Sequence, residues 1–217
     1  MPAGGGYAVT TGAGDALASA VRMDAMPPHI LAEKARPSYC SGATYLVFLK
    51  TLVHLQNQGS ISLDEAGWKA LLPARMPDGE SVWGRWNANG PGTSRLFHEL
   101  GLGKNFTNYA DAKPGDFMKI FWTDAVGRNE RGHSVVFLGL SKAGEVETVR
   151  FWSSNKPGGF GEKEVPKSKI ARVIFSRLES PARIADVAKL PKKDSYLASL
   201  LRKESSFAEA KKMVGAE

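Results

Sequence analysis

The first half of the chain places apolar residues at helical spacing. One such segment follows Pro37, has Ser38 as a good N-cap, runs to about Gln58 and meets a natural stop at Gly59. Its apolar positions recur every three to four residues, at Ala43, Leu46, Val47, Leu49 and Val53. Because few sides of this helix are polar, we expect it to lie centrally in the core.

Two shorter helices are predicted further along. Residues 60–72 begin with a serine cap, and Thr93 caps a short apolar helix that ends at Gly101. The intervening residues 73–92 are crowded with Gly, Pro, Asn and Trp, a composition typical of a loop that exposes aromatic side chains.

After Lys113 the pattern changes from helical to strand-like. Four strands are predicted, over residues 117–122, 133–140, 146–153 and 170–175. Residues 156–161 are glycine-rich and predict a loop, and two helical pieces separated by Pro191 are predicted after residue 181. Such short connections between strands imply hairpins and an antiparallel sheet. Helices followed by a sheet predict an α+β fold class.

Length and composition are typical of one globular domain with an appendage. The chain has 217 residues, of which 42% are hydrophobic and 24% charged, so a sizeable core can form. We expect a core domain over residues 1–178, with a helical and loop insertion at about 60–112, and a basic helical tail over 179–217. The chain has no run of about 18 apolar residues, so no membrane span is predicted. Residues 1–14 lack the charged and apolar regions of a signal peptide.

The formal net charge is +7, and a basic surface attracts polyanions such as nucleic acid, anionic lipid or an anionic cell-wall polymer. A solvated basic face is the plainer interpretation. No helix-turn-helix, zinc-finger or RNP-like pattern accompanies the charge, so we expect no specific nucleic-acid partner. Nucleic-acid binding through the basic tail is kept as an alternative, which predicts a steep salt dependence of affinity.

The chain has a single cysteine, Cys40, and four histidines. One cysteine rules out an internal disulfide and a cysteine-based zinc site. The histidines form no HxxxH or HExxH spacing. We therefore expect neither a metal site nor an organic cofactor.

Cys40 lies in the first turn of the predicted helix that starts at Ser38. Unpaired N–H groups and the positive end of the helix dipole favour a thiolate there. The same N–H groups can stabilise a developing oxyanion. Ser41 and Gly42 follow and are small enough to let a substrate approach. A buried structural cysteine is the alternative interpretation.

His133 is the best-placed base for Cys40. It opens an apolar strand after a polar loop, and a strand end on a rigid sheet is a good mount for a general base. His54 follows Cys40 by 14 residues on the same helix, about 21 Å away, and cannot reach it. His98 lies within a short helix, and His29 follows two prolines in an early loop. The alternative interpretation is that His133 has only a structural role, with its ring hydrogen-bonded at the edge of a strand.

A third polar group that orients the base is expected near the end of the next strand. Strand alternation puts Ser153 and Asn155 on one face and Ser154 on the other. An amide oxygen accepts well from an imidazole N–H, so Asn155 is favoured and Ser153 is second. The alternative is that Ser153, Ser154 and Asn155 only form the turn that precedes the glycine-rich loop.

Three segments follow one another at characteristic spacing. They are Tyr39-Cys40-Ser41-Gly42 at a helix start, Pro114-Gly115-Asp116-Phe117 before a strand, and Gly132-His133-Ser134-Val135 at the start of an apolar strand. Together they resemble the NlpC-type cell-wall peptidases and the related CHAP amidases, over roughly residues 38–175. The resemblance implies a papain-like core, in which a helix carrying the nucleophile packs on an antiparallel sheet carrying the base. It also implies cleavage of amide bonds in peptidoglycan.

The chain departs from the NlpC pattern at Tyr39, where those families usually have an aspartate that holds the amino end of the stem peptide. The usual D-glutamyl-diaminopimelate specificity is therefore in question. The third polar residue of those families is often a histidine, at a position that falls near Ser153 in this chain.

Several residues are expected to line the substrate cleft, because Trp faces bind sugar rings or peptides and Asn offers polar contacts. They are Tyr39 and Ser41 beside the nucleophile, and Trp83, Trp86, Asn87 and Asn89 from the predicted loop. Buried tryptophans in a packed loop are the alternative.

The resulting hypothesis is a monomeric cysteine hydrolase that cleaves amide bonds, foremost in peptidoglycan stem peptides, with Cys40 as nucleophile and His133 as base. A periplasmic, secreted or cell-envelope location would suit that substrate. The alternative is a non-catalytic module that binds cell wall or polyanions on a papain-like shell. It predicts an ordinary thiol pKa of about 8.5 and no contact between Cys40 and His133.

Overall fold

The computed structural model describes residues 1–216. Its α-helices are α1 (Thr11–Ser19), α2 (Cys40–Asn57), α3 (Glu65–Ala70), α4 (Ser81–Trp86), α5 (Gly92–Leu100), α6 (Ser195–Ser199) and α7 (Phe207–Met213). Its strands are β1 (Gly4–Gly5), β2 (Val21–Arg22), β3 (His29–Ile30), β4 (Gly103–Phe106), β5 (Phe117–Phe121), β6 (Val126–Gly127), β7 (Gly132–Ala143), β8 (Val146–Asn155), β9 (Gly159–Pro166), β10 (Arg172–Leu178) and β11 (Glu204–Ser205). A longer 3₁₀ segment covers Pro181–Lys189. No helix within the described residues is long and apolar enough to cross a membrane.

Seven strands form one antiparallel sheet in the order β1-β9-β8-β7-β5-β10-β4. The pairs β11-β6 and β2-β3 form two small ribbons. The α+β class and the antiparallel pairing predicted from the sequence are confirmed. The four predicted strands correspond to β5, β7, β8 and β10, and their first residues agree within two positions.

The sheet also contains strands that the pattern did not predict. β9 covers Gly159–Pro166, where a glycine-rich loop was expected at 156–161. Its residues Glu162, Lys163 and Glu164 are exposed, so the strand carries too few apolar side chains to show an alternating pattern. β4 is a short edge strand that pairs with β10.

Helix α2 begins at Cys40, with Tyr39 as the residue before its first turn. The expected N-cap, Ser38, lies one residue further out, and its hydroxyl donates to the hydroxyl oxygen of Ser154 at 2.8 Å. This contact ties the chain in front of the helix to the end of β8. α2 packs against β7 and β8, the strands expected to carry the base and the group that orients it.

The two faces of the sheet bury different side chains of β7. Val136 belongs to the large apolar cluster that includes α2. Val135 and Phe137 belong to a second cluster on the opposite face. His133 shares the parity of Val135 and Phe137, because side chains alternate along a strand.

Residues 73–92 are not one continuous loop, because they contain helix α4. Within α4, Arg85 has a side-chain exposure of 0% and its Nε donates to Oε2 of Glu99 at 2.7 Å. The Arg85 guanidinium also donates to the carbonyl oxygens of Ser81 and Pro191. A fully buried charge is tolerated here because every side of it meets an acceptor.

The two shorter helices predicted in this region are present with shifted ends. The helix expected over residues 60–72 is confined to α3, and Asp64 caps it by accepting from the N–H of Gly67. Helix α5 begins one residue before Thr93 and is capped after Leu100 by Gly101, whose φ of 62° is the left-handed conformation that glycine adopts easily.

The turn before β5 is held by Asp116. Its carboxylate accepts from Arg177 Nε at 2.8 Å and Nη2 at 2.7 Å, and from the N–H of Lys113 at 2.7 Å. The Gly-Asp turn noted in the sequence therefore fixes the entry of β5 to the neighbouring strand β10.

The C-terminal residues pack on the sheet domain. Arg95 Nε in α5 donates to Oδ2 of Asp194 at 2.8 Å, and Arg95 also donates to the carbonyl of Met213. Ala210 and Val214 of the last segment are buried with Phe121 of β5. The helical pieces expected in this tail are the 3₁₀ segment, α6 and α7.

Candidate active site

The thiol of Cys40 lies in a network of hydrogen bonds at the start of α2. It is hydrogen-bonded with the His133 ring and accepts from the backbone N–H of Ser134. The phenol of Tyr7 is hydrogen-bonded with the same sulfur. Cys40 lines a cavity, so a ligand can approach it.

These contacts leave the Cys40 thiol easier to ionise than an ordinary cysteine. Burial is the largest single influence and by itself raises its pKa, but the hydrogen bond and the charge of His133 act in the opposite direction. With the Ser134 N–H and the charge of Lys119 they bring the pKa down to about 7. In a substantial fraction of the molecules, Cys40 is therefore ionised to the thiolate at neutral pH.

The His133 ring is fixed by partners on three sides. Its Nε2 lies 3.1 Å from Oδ1 of Asn155, which leaves Nδ1 as the nitrogen for Cys40. Trp122 stacks on the ring with centroids 6.4 Å apart, and Phe151 meets it edge-on at 5.7 Å. A ring held in this way keeps one nitrogen directed at the sulfur.

Asn155 is itself oriented by the backbone. Its Nδ2 donates to the carbonyl oxygen of Gly161 at 2.9 Å and to that of Ser153 at 3.3 Å, so Oδ1 is left to accept from His133. Ser153, the second choice for this position, donates its hydroxyl to the carbonyl oxygen of Ser134 at 2.7 Å instead. The structure therefore brings Cys40, His133 and Asn155 together in one chain of hydrogen bonds.

Replacement of Asn155 by alanine is expected to lower kcat for amide hydrolysis by about 10- to 100-fold, less than the loss of the base itself. The ring of His133 would lose the acceptor that holds its tautomer and orientation. The matched control is Ser153→Ala, which removes a hydroxyl from the same strand face without touching His133. Equal kcat values for the two variants would contradict the role of Asn155.

Tyr7 is a site residue that the sequence pattern did not reveal. Burial, followed by the proximity of Cys40, raises the pKa of Tyr7 to about 12, so the phenol keeps its proton near neutral pH. Its backbone N–H donates to the carbonyl of Pro157, and its neighbour Ala8 donates to that of Ser38. These contacts hold the N-terminal segment across the start of α2.

The approach of this segment requires glycine at position 159. Gly159 has a φ of 86°, and a Cβ there would lie 2.5 Å from the Gly4 oxygen and 2.7 Å from the Gly6 nitrogen. β1 can therefore lie against β9 only because Gly159 has no side chain. The three glycines directly before Tyr7 are the one local signal for this close approach, and the sequence pattern did not connect them with the site.

A cavity of about 460 Å³ opens beside Cys40. Four of the residues expected to line a cleft do line it: Tyr39, Ser41, Asn87 and Asn89. The Ser41 hydroxyl donates to Oδ1 of Asn87 at 2.6 Å, which joins the two walls of the cavity.

The two tryptophans expected in this cleft lie in the core instead. Trp83 and Trp86 are only 5% and 1% exposed, so neither offers a ring face to a ligand. Trp86 Nε1 donates to the carbonyl oxygen of Ser41 and to the hydroxyl of Thr44, both at 3.2 Å. Helix α4 turns both rings inward against α2. The two tryptophans therefore support the cleft from behind, and the expectation that they line it is wrong.

Three charged residues of the cavity were also not predicted. Lys119 Nζ lies 2.5 Å from Oε1 of Glu130, whose Oε2 accepts from the N–H of Gly90 at 2.6 Å. Asp78 accepts from the N–H of Asn89, and burial raises the pKa of its carboxyl. A lysine inside the apolar strand β5 was the one sequence signal for this group.

The other histidines lie away from Cys40. His29 is exposed, and its Nδ1 lies 3.0 Å from Oδ1 of Asp24. His54 and His98 are exposed on α2 and α5. Within residues 1–216, no group of three His, Cys, Asp or Glu side chains is arranged to hold a metal ion.

Comparison of the chain with protein-family models, curated proteins and solved structures gives no match. The α+β architecture and the geometry around Cys40 are therefore what supports a function for this chain.

Proposed function

We propose that this protein is a cysteine hydrolase with a papain-like core that cleaves amide bonds, foremost in peptidoglycan stem peptides. The observation that carries the proposal is the chain of hydrogen bonds from the Cys40 thiol through the His133 ring to the Asn155 side chain. A nucleophile, a base and a group that orients the base are the three parts that nucleophilic acyl transfer needs.

In the proposed reaction, His133 takes the thiol proton and the Cys40 sulfur attacks the carbonyl carbon of the substrate amide. The new S–C bond pushes the carbonyl electrons onto oxygen. His133 then gives its proton to the leaving nitrogen, the C–N bond breaks, and a thioester is left on Cys40. A water molecule, deprotonated by the same histidine, attacks the thioester, and the thiol and a carboxylic acid are released.

Two donors near the sulfur are suited to the oxyanion of this reaction. The backbone N–H of Cys40 lies in the first turn of α2, where helical amides have no intrahelical acceptor. The Tyr7 hydroxyl is close to the same sulfur and stays protonated, because its pKa is raised to about 12. Donors that are in place before the reaction begins stabilise the developing charge most effectively.

The assignment to peptidoglycan rests on the resemblance of the segments around Cys40, Asp116 and His133 to NlpC-type and CHAP enzymes. The net charge of +7 also suits an anionic cell-wall polymer. With both tryptophans buried, the cleft beside Cys40 offers polar groups rather than platforms for sugar rings. A peptide portion of the polymer is therefore the better candidate for the bound group.

The alternative of a non-catalytic binding module fits these observations less well. It needs an ordinary thiol and no contact between Cys40 and His133. The hydrogen bond between these residues and a thiol pKa of about 7 favour the hydrolase.

The test is a digest of purified peptidoglycan and defined muropeptides, followed by mass spectrometry of the products. We expect one new amine and one new carboxylate for each bond cut, and none when the protein has first been alkylated with iodoacetamide. The proposal fails if no amide is cleaved, or if the alkylated protein cleaves as well as the untreated one.

A further inference from the structure

A second cavity, of about 350 Å³, adjoins the one beside Cys40, and Tyr7 and Gly132 line both. The first cavity is lined by Cys40 and the second by His133. The wall of the second cavity also includes Trp122, Arg131, Asn155, Lys156 and Lys163.

Three cations and no carboxylate line this second cavity. Arg131, Lys156 and Lys163 are all exposed, and none forms an ion pair with any residue in the described range 1–216. Lys156 Nζ lies 5.4 Å from the centroid of the Tyr7 ring. We call these three residues the cationic trio.

The backbone elements that hold His133 also supply the cationic trio. Arg131 comes two residues before His133, and Lys156 directly follows Asn155. Lys163 on β9 pairs with Phe151 on β8, and cross-strand partners project from the same face of a sheet. Phe151 contacts the His133 ring, so Lys163 belongs to the face of the sheet that carries the base.

Two cations of nearby segments are paired, in contrast to the trio. Lys167 lies 2.8 Å from Glu147, and Arg172 lies 3.1 Å from Asp124. Three unpaired like charges around one concave site repel each other and attract anions into it. The trio therefore makes this side of the site attractive to a ligand anion.

We propose that the cationic trio binds a carboxylate on the leaving-amine side of the substrate, an inference that rests on the proposed amide hydrolysis. The general acid must reach the leaving nitrogen, and His133 lines this cavity. The part of the substrate that departs with that nitrogen therefore extends into the second cavity. The preferred substrate is an amide whose leaving amine bears a carboxylate.

The test compares two alkylating probes of Cys40 that differ in one charge. N-iodoacetylglycine carries a carboxylate, and N-iodoacetylglycinamide carries a neutral amide in its place. Both are attacked by the thiolate with release of iodide. The measured quantity is the ratio of the two second-order rate constants, which cancels any change in the reactivity of the thiol itself.

We expect this ratio to fall by about threefold to tenfold in the triple variant Arg131→Gln, Lys156→Gln, Lys163→Gln at physiological salt. The matched control is Lys50→Gln, Lys113→Gln, Lys169→Gln, which removes the same net charge from exposed positions outside both cavities. An equal fall in both triple variants, or no fall in either variant with this probe or with the aspartate probe described next, would overturn the proposal.

A third probe, the α-amide of N-iodoacetylaspartate, carries its carboxylate on a side chain. Dependence on the cationic trio with either anionic probe supports the proposal and shows whether a main-chain or a side-chain carboxylate is bound. Alkylation needs no turnover, so the two proposals can fail separately. A ratio that depends on the trio in a protein that cleaves no amide would contradict only the hydrolase, and cleavage without that dependence would contradict only the carboxylate site.

Discussion

Replacement of Cys40 by serine is expected to reduce kcat for amide hydrolysis on the order of 10⁴-fold or more. A serine hydroxyl has nearly the shape of the thiol, but its much higher pKa leaves it protonated where Cys40, with a pKa of about 7, is ionised. The same loss is expected for His133→Ala, because no other histidine in the described residues contacts the sulfur.

The double variant Cys40→Ser, His133→Ala is expected to be no slower than either single variant. Residues that act as one unit give losses that do not add. His54→Ala is the matched control, since His54 lies on the same helix as Cys40 but is exposed and remote from the sulfur. Additive losses in the double variant, or an equal loss in the control, would contradict the pairing.

Replacement of Arg85 by alanine is expected to lower the free energy of unfolding by about 3–5 kcal/mol. The Glu99 carboxylate would lose its closer partner and keep only Arg95, whose Nη2 lies 4.0 Å away, and the carbonyls of Ser81 and Pro191 would lose their donor. α4 supplies Trp86 and leads into Asn87, so the cleft beside Cys40 depends on the same packing. Chemical denaturation monitored by circular dichroism measures the loss.

The matched control for Arg85 is the exposed pair of Arg75 and Asp15, which lie 2.9 Å apart with side-chain exposures of 72% and 58%. Arg75→Ala is expected to cost less than about 1 kcal/mol, because water screens an exposed ion pair. The double variant Arg85→Met, Glu99→Leu should be more stable than Arg85→Ala, since it leaves no unpaired charge. If it is less stable, the weakly compensated Glu99 carboxylate is not the cause of the loss.

Much of the fold follows from local patterns in the sequence. The strands β5, β7, β8 and β10 have apolar side chains on one or both faces, so they could be predicted almost to their first residues. β9 could not, because its exposed side chains are charged and its pairing with β8 depends on partners distant in sequence. The burial of Trp83 and Trp86 could be given only as an alternative to a place in the cleft, because a Gly- and Asn-rich composition hid the short helix α4.

Some residues of the candidate site could likewise be predicted from local sequence, and others could not. Cys40 could be singled out by its helix start and His133 by its strand start, and Asn155 by the alternation of β8. Tyr7 reaches the sulfur from a segment 33 residues before Cys40 in the sequence, and no local pattern indicates such a contact. The cationic trio is likewise a property of the assembled sheet, since its members come from three separate segments.

The most direct test of the pairing between Cys40 and His133 is the pH dependence of the alkylation of Cys40 by iodoacetamide. The rate follows the thiolate fraction, so it rises as pH increases through the thiol pKa. We predict a midpoint at about pH 7 in the native protein and a higher one in His133→Ala, where burial is no longer offset by the imidazole. A midpoint of about 8.5 in the native protein, unchanged in His133→Ala, would contradict the account.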